Sequence, residues 1–194
     1  MEIIKTDLLD QYLKKMGTTL LNSPLEKLDL AADILLEARA GDHWIFAAGN
    51  GGSAATASHF ANDFVKGLSI DGKKRFKVIA LNDCVPVFTA LANDIAYEDI
   101  FIEQLKNYAS EGDVLVVYSG SGNSPNIVKA AEYARDSGMK VIAFTGRDGG
   151  KVDPFCTVNC IAATEVMEEI EDVHMVWEHA FITILKQMIG REAT

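Results

Sequence analysis

The 194 residues, 48% hydrophobic and 24% charged, suit one soluble domain with a sizeable core. A formal net charge of -10, with lysines and arginines scattered along the chain, argues against the basic face that a nucleic-acid binder presents to phosphates. No stretch reaches the apolar length of a membrane span. The opening Met1-Glu2-Ile3-Ile4-Lys5 lacks the basic-then-apolar order of a secretory leader, so the chain is expected in the cytoplasm.

Residues 1–40 read as two helices. Apolar residues recur at Leu8, Leu9, Tyr12, Leu13 and Met16, then at Leu25, Leu28, Ala31, Ile34 and Leu35, the three-to-four spacing of an amphipathic stripe. Ser23-Pro24 marks the second start, with Pro24 expected in the first helical turn. Because these helices precede every strand, they are expected to pack against a partner subunit.

From Asp42 onward the pattern alternates. Strands are predicted over 44–48, 76–81, 114–118, 141–145 and 157–161. Helices are predicted from the first glycine loop to about Gly67, across 84–92 and 97–110, after Pro125, and from Val166 to Met188. Apolar strands alternating with helices predict a parallel sheet covered on both faces. Right-handed crossovers then give an open doubly wound α/β sheet that binds ligands outside the carboxyl ends of its strands.

Two loops fall at that edge. Ser119-Gly120-Ser121-Gly122-Asn123-Ser124 joins a strand to a helix, and its amides, hydroxyls and helix dipole suit a phosphate without any lysine or arginine. The same residues also read as a simple turn, with Ser124 as cap and Pro125 at the first helical position. Gly49-Asn50-Gly51-Gly52-Ser53 is the second loop. Ala54 breaks its likeness to a dinucleotide fingerprint, and no acidic residue ends the following strand to take a ribose.

Cys84, Cys156 and Cys160 lack zinc-site spacing and read as buried, reduced thiols. His59 and Asp63, four apart on one helix face, suit either a shared zinc ion or a plain hydrogen bond. The last helix carries Glu171, His174, Glu178 and His179 within an acidic run, the usual mark of a solvated face, yet Met175, Val176, Trp177, Ala180 and Phe181 predict that the helix becomes buried where the histidines fall. Glu171 and His179 are separated by about 12 Å of ideal helix, so spacing alone does not pair them.

Taken together, the run from Gly49 to Asp63, Ala92-Asn93-Asp94, the serine loop, Thr145-Gly146-Arg147-Asp148-Gly149-Gly150-Lys151 and Glu171-Asp172-Val173-His174 with His179 resemble the bacterial phosphoheptose isomerases, a sugar-isomerase (SIS) domain family. The resemblance covers nearly the whole chain, in order. It implies a flavodoxin-like three-layer αβα sandwich with a five-stranded parallel sheet, in a homotetramer with active sites near subunit interfaces. It implies interconversion of a ketose phosphate and an aldose phosphate through an enediol. Asp63 and His179 match the proton-transferring pair, and His59, Asp63, Glu171 and His179 match ligands of one Zn²⁺ per subunit. Substrate contacts correspond to Asn50, Gly51, Gly52, Ser53, Asp63, Asn93, Asp94, Ser119, Gly120, Ser121, Ser124 and Glu171. The family usually has Glu at position 63, Gln at 171 and Thr at 120. A non-catalytic binder of the same domain class is the rival reading; it would lack the acid–base pair retained here.

Overall fold

The computed structural model of the chain describes residues 5–192. Residues 1–4, part of the stretch read above for a leader, lie outside the described residues, as do 193–194. Helices α1 (Lys5–Leu21) and α2 (Leu25–Gly41) precede the sheet. Strands β1 (Trp44–Gly49), β2 (Lys77–Ala80), β3 (Val114–Ser119), β4 (Lys140–Gly146) and β5 (Val158–Ala162) then alternate with helices. These are α3 (Gly52–Asn62), α4 (Val85–Asp94), α5 (Ile102–Tyr108), α6 (Pro125–Asp136) and α7 (Met167–Gly190).

All four strand pairings are parallel, in the order β2-β1-β3-β4-β5. That is the flavodoxin-like winding, whose direction reverses between β1 and β3. Successive side chains point to opposite faces of a strand, so β3 divides its residues between two cores. Val114, Val116 and Tyr118 pack with α2, α3 and α7, around Phe60, Ile170 and Trp177. Leu115 and Val117 pack on the other side with α5 and α6, around Leu105, Ile127 and Ala131. The result is the three-layer αβα sandwich.

Three local expectations are corrected. Pro24 caps α2 from outside, at φ -78° and ψ 74°, and Leu25 begins the helix. The Ser23 hydroxyl is engaged elsewhere: it donates to the Leu20 carbonyl at 2.6 Å and accepts from the Trp177 indole at 2.8 Å. Cys84 is exposed, because it sits in the cap position before α4, whereas Cys160 is buried in β5 and Cys156 is half-buried. Burial pushes the Cys156 and Cys160 thiols up to about 12, so both stay protonated and unreactive. Finally, the helix after the first loop does not run evenly to Gly67. It widens into a π-helical turn over Asp63–Gly67, an irregularity found preferentially at functional sites.

No helix among the described residues is long and apolar enough to cross a membrane. The α1 stripe is only partly covered within the chain: Met16 and Tyr12 pack on the core, whereas Leu9 and Leu13 are 65% and 69% exposed. A groove of about 620 Å³ beside it, between α2 and α7, is lined by Leu25, Leu28, Val176 and Ile184.

Candidate active site

Both glycine-rich loops lie at the carboxyl edge of the sheet, on either side of the switch between β1 and β3. The first leaves β1 at Gly49 and opens α3. Gly51 there holds φ 57° and ψ -124°, a conformation that glycine adopts without steric cost. The second leaves β3 at Ser119 and opens α6, with Ser124 in the cap position and Pro125 in the first turn. The amino ends of two helices thus border one cleft of about 290 Å³. Their unpaired amides and dipoles make it a site for an anion.

Asn50, Gly51, Gly52 and Ser53 line the cleft on one side, and Ser119, Gly120, Ser121 and Ser124 on the other. Tyr118, Met167 and Glu171 complete it, and no lysine or arginine contributes. Ser119 Oγ accepts from the Gly122 amide and Ser121 Oγ from the Asn123 amide, each at 3.2 Å. Each hydroxyl therefore keeps its own hydrogen to donate. The Ser124 hydroxyl makes no capping bond at all. The Met167 sulfur fills the space that a side chain at Gly120 would need, so the missing threonine is matched by a methionine from α7.

The loops are tied to each other. Asn50 Nδ2 donates to Asn126 Oδ1 at 2.8 Å, and Asn126 Nδ2 donates back to Asn50 Oδ1 at 2.9 Å. The Tyr97 hydroxyl donates to the same Asn50 oxygen at 2.9 Å. Asn93 and Asp94 stand apart from the cleft, exposed in the last turn of α4, where the Asn93 amide donates to Asp94 Oδ1 at 2.7 Å.

A second group assembles where α7 crosses α3. His59 lies in the last turn of α3 and Asp63 opens the π turn, with His59 Nε2 3.4 Å from Asp63 Oδ2. His179 comes from α7, its Nε2 3.0 Å from His59 Nε2 and 3.9 Å from Asp63 Oδ2. These donor atoms all lie within 4.8 Å of one another. Two imidazole nitrogens and a carboxylate oxygen, converging on one point, fit a zinc ion with a position left open for substrate. Glu171 is not in this group. Its carboxylate sits over Gly52 in the cleft, held away from His179 by about 12 Å of helix rise.

Sequence reasoning missed Glu178. It is fully buried, and neither carboxylate oxygen has a hydrogen-bond partner among the described residues. Burial, reinforced by the charge of Asp63, pushes its carboxyl up to about 8. Tyr118, beneath the cleft, likewise has a buried hydroxyl without a partner, and burial raises it well above the usual tyrosine range. Asn126 was missed too. Its only signal is a polar residue in the first turn of α6, one position after Pro125. His174 is no site residue: it is buried among Tyr118, Phe144 and Trp177, and its Nε2–H donates to the Thr145 carbonyl at 3.0 Å.

Comparison with known proteins gives concordant results. The SIS domain family model matches residues 11–146. A phosphoheptose isomerase of Aliarcobacter butzleri is 34% identical over 184 residues, spanning 94% of this chain and 97% of that protein. One of Leptospira biflexa is 38% identical over 178 residues, 91% of each chain. Among solved structures, the phosphoheptose isomerase of Neisseria gonorrhoeae superposes with a TM-score of 0.87 at 29% identity, over 95% of this chain and 100% of that one. The enzyme from Francisella tularensis gives 0.88 at 26% identity, over the same shares.

Proposed function

The chain belongs to the phosphoheptose isomerases of the SIS domain family, and from that membership we infer that it interconverts sedoheptulose 7-phosphate and D-glycero-D-manno-heptose 7-phosphate. The observation that carries this reading is identity of 34% and 38% over more than nine-tenths of the chain. The meeting of an anion cleft with a His–Asp–His group supports it. A non-catalytic binder would need the cleft but not the Asp63–His179 pair.

The serine loop and the α6 amino end hold the phosphate, and the energy of that contact orients the reacting end of the sugar. From the ketose, a proton leaves C1 while O2 gains one, giving the enediol. A proton then returns to C2 as O1 loses one, and the aldose results. Each half needs a base at carbon and an acid at oxygen that exchange roles. Asp63 and His179 fill those roles in this proposal. His59, Asp63 and His179 are the residues that would hold zinc, which when bound supplies Lewis-acid polarisation of the carbonyl. A nitrogen engaged with a cation has no lone pair for a proton, so His179 Nε2 serves one role at a time.

A cytoplasmic homotetramer completes the reading, with a sugar phosphate and neither nucleic acid nor membrane as partner. Exposed Leu8, Leu9 and Leu13 of α1 and the groove between α2 and α7 supply contact surface, and exposed Asn93 and Asp94 are free to reach a neighbouring subunit's site. The test is to incubate the purified protein with sedoheptulose 7-phosphate and, separately, with other ketose phosphates, with and without added Zn²⁺, and follow the anomeric proton signals. Turnover of the heptulose supports the proposal. Turnover of a different ketose phosphate alone overturns the substrate and keeps the reaction type.

A further inference from the structure

Three successive carbonyls of the serine loop are engaged from outside the cleft. Gly120 O accepts from the Gly146 amide at 3.1 Å, and Gly122 O from the Val152 amide at 3.0 Å. Between them, Ser121 O accepts from Asn123 Nδ2 at 2.8 Å. No residue of 146–152 lines the cleft, so the segment after β4 backs the loop from behind. The packing there is tight. A side chain at Gly122 would meet the Gly149 carbonyl, and one at Gly150 would meet Ser121 O itself.

Carbonyl direction matters to an anion. Amides that converge on one point attract a phosphate, whereas a carbonyl oxygen turned into the same space repels it. With the three carbonyls held outward, the loop presents hydroxyls and amides to the cleft. The Ser121 and Ser124 amides have no acceptor among the described residues, which leaves them as donors for a ligand.

Two of the three carbonyls are held by backbone amides, and only Ser121 O depends on a side chain. That side chain also reaches across to the backing segment: Asn123 Oδ1 accepts from the Lys151 amide at 3.1 Å, 28 positions away. The two bonds fix the sense of the carboxamide, because the reversed orientation would set its NH2 against the Lys151 N–H and its oxygen against Ser121 O. The Asn123 backbone amide donates in turn to Ser121 Oγ at 3.2 Å. Asn123 is exposed, so it fills no core space, and these bonds are its whole set of side-chain contacts with the loop. Resting on the reading that the serine loop holds the substrate's phosphate, we propose that Asn123 is a positioning residue for that phosphate. It keeps the Ser121 carbonyl turned away from the anion and fastens the loop to Lys151, which sets Ser121 and Ser124 on either side of it in place.

The experiment measures inorganic phosphate binding by calorimetry, and kcat and KM for the phosphosugar, in the full chain. Wild type, Asn123→Ala, Asn123→Asp and Asn107→Ala are compared. Asn107, an exposed asparagine of α5 whose side chain donates to the Glu103 carbonyl of its own helix, is the control and should match wild type. Asn123→Ala should raise the phosphate Kd and the KM by the same factor, roughly 3- to 10-fold, the scale of one or two hydrogen bonds. Its kcat and its melting temperature without ligand should stay near wild type. Asn123→Asp keeps the acceptor for Lys151 but sets a carboxylate against Ser121 O, so its loss should be larger and should shrink as salt rises. Phosphate Kd and KM unchanged in Asn123→Ala would overturn the proposal. A fall in kcat and melting temperature with KM unmoved would overturn it too, since that marks a merely structural role. A wild-type chain that binds phosphate in an Asn123-dependent way but isomerises no ketose phosphate would overturn the isomerase reading and leave this one standing. Binding of neither phosphate nor phosphosugar by wild type would overturn both.

Discussion

Asn50 and Asn126 exchange two amide hydrogen bonds, at 2.8 and 2.9 Å, across the switch point of the sheet. One residue belongs to the first glycine loop and the other to the helix that follows the serine loop, 76 positions later. Asn126 Oδ1 also accepts from the Ile127 amide, and Asn126 is 1% exposed. The pair therefore fixes the two walls of the cleft relative to one another, and Asn126 acts through Asn50 as a positioning residue.

Asn126→Ala removes both bonds and strands the amide of Asn50. Losing such partners costs about 1–3 kcal/mol. We expect kcat/KM to fall roughly 5- to 100-fold on that scale, with Asn126→Asp, which keeps the acceptor, intermediate. Steady-state kinetics beside a melting curve separate this from global unfolding. A variant with wild-type kcat and KM would remove Asn126 from the site.

The Ser124 hydroxyl has no capping bond to lose. Ser124→Ala should therefore raise KM for the phosphosugar about tenfold or more while leaving the melting temperature nearly unchanged, since a hydrogen bond to a charged group contributes about 1.5–3 kcal/mol. Ser119→Ala and Ser121→Ala remove hydroxyls that also accept from the Gly122 and Asn123 amides, so they should affect both KM and stability. A wild-type KM in all three variants would show that the phosphate binds elsewhere.

Proton transfer is assigned to Asp63 and His179. Asp63→Asn and His179→Ala should each lower kcat by roughly 10²-fold or more, the usual scale for a general acid or base. Exchange of the C1 and C2 hydrogens with deuterium from solvent should slow in parallel. Exchange at the wild-type rate in either variant would reassign that proton.

His174 carries a pH-dependent share of stability. Burial holds its imidazole down at about 4, and the bond to the Thr145 carbonyl offsets this only in part. Its folded pKa lies below the unfolded value of about 6.5. The stabilisation is thus complete above pH 6.5 and is lost as pH falls toward about 4, because the unfolded chain takes the proton first. The total is about 3 kcal/mol. His174→Gln retains an N–H donor for Thr145, and denaturant melts should show a flatter stability profile between pH 6.5 and 4 than wild type. Parallel profiles would mean that the imidazole protonates within the folded state.

Much of the fold was legible because its signals are local. Each strand is an apolar run ended by turn residues, and the serine loop and Gly49–Ser53 fall at strand-to-helix junctions whatever the packing. The His59–Asp63 pair follows from helical spacing alone, and the structure keeps it at 3.4 Å. The exposed position of Cys84 was not legible, since residue type gives burial only as a tendency.

What the tertiary structure alone decided is which distant side chains share a volume. His59 and His179 are 120 residues apart and 3.0 Å apart in space, and only the crossing of α7 over α3 joins them. The same crossing separates neighbours: Glu178 turns inward with no accessible surface, while His179 remains about half exposed. In the acidic run of the last helix both read alike. A side chain's direction on a helix is set by the 3.6-residue turn, but which direction is the interior is set by what packs there. Glu171 demonstrates the same limit, since two turns of helix put it with the serine loop and not with the histidines. Periodicity belongs to the chain, whereas a site belongs to the contacts among elements that the chain does not list in order.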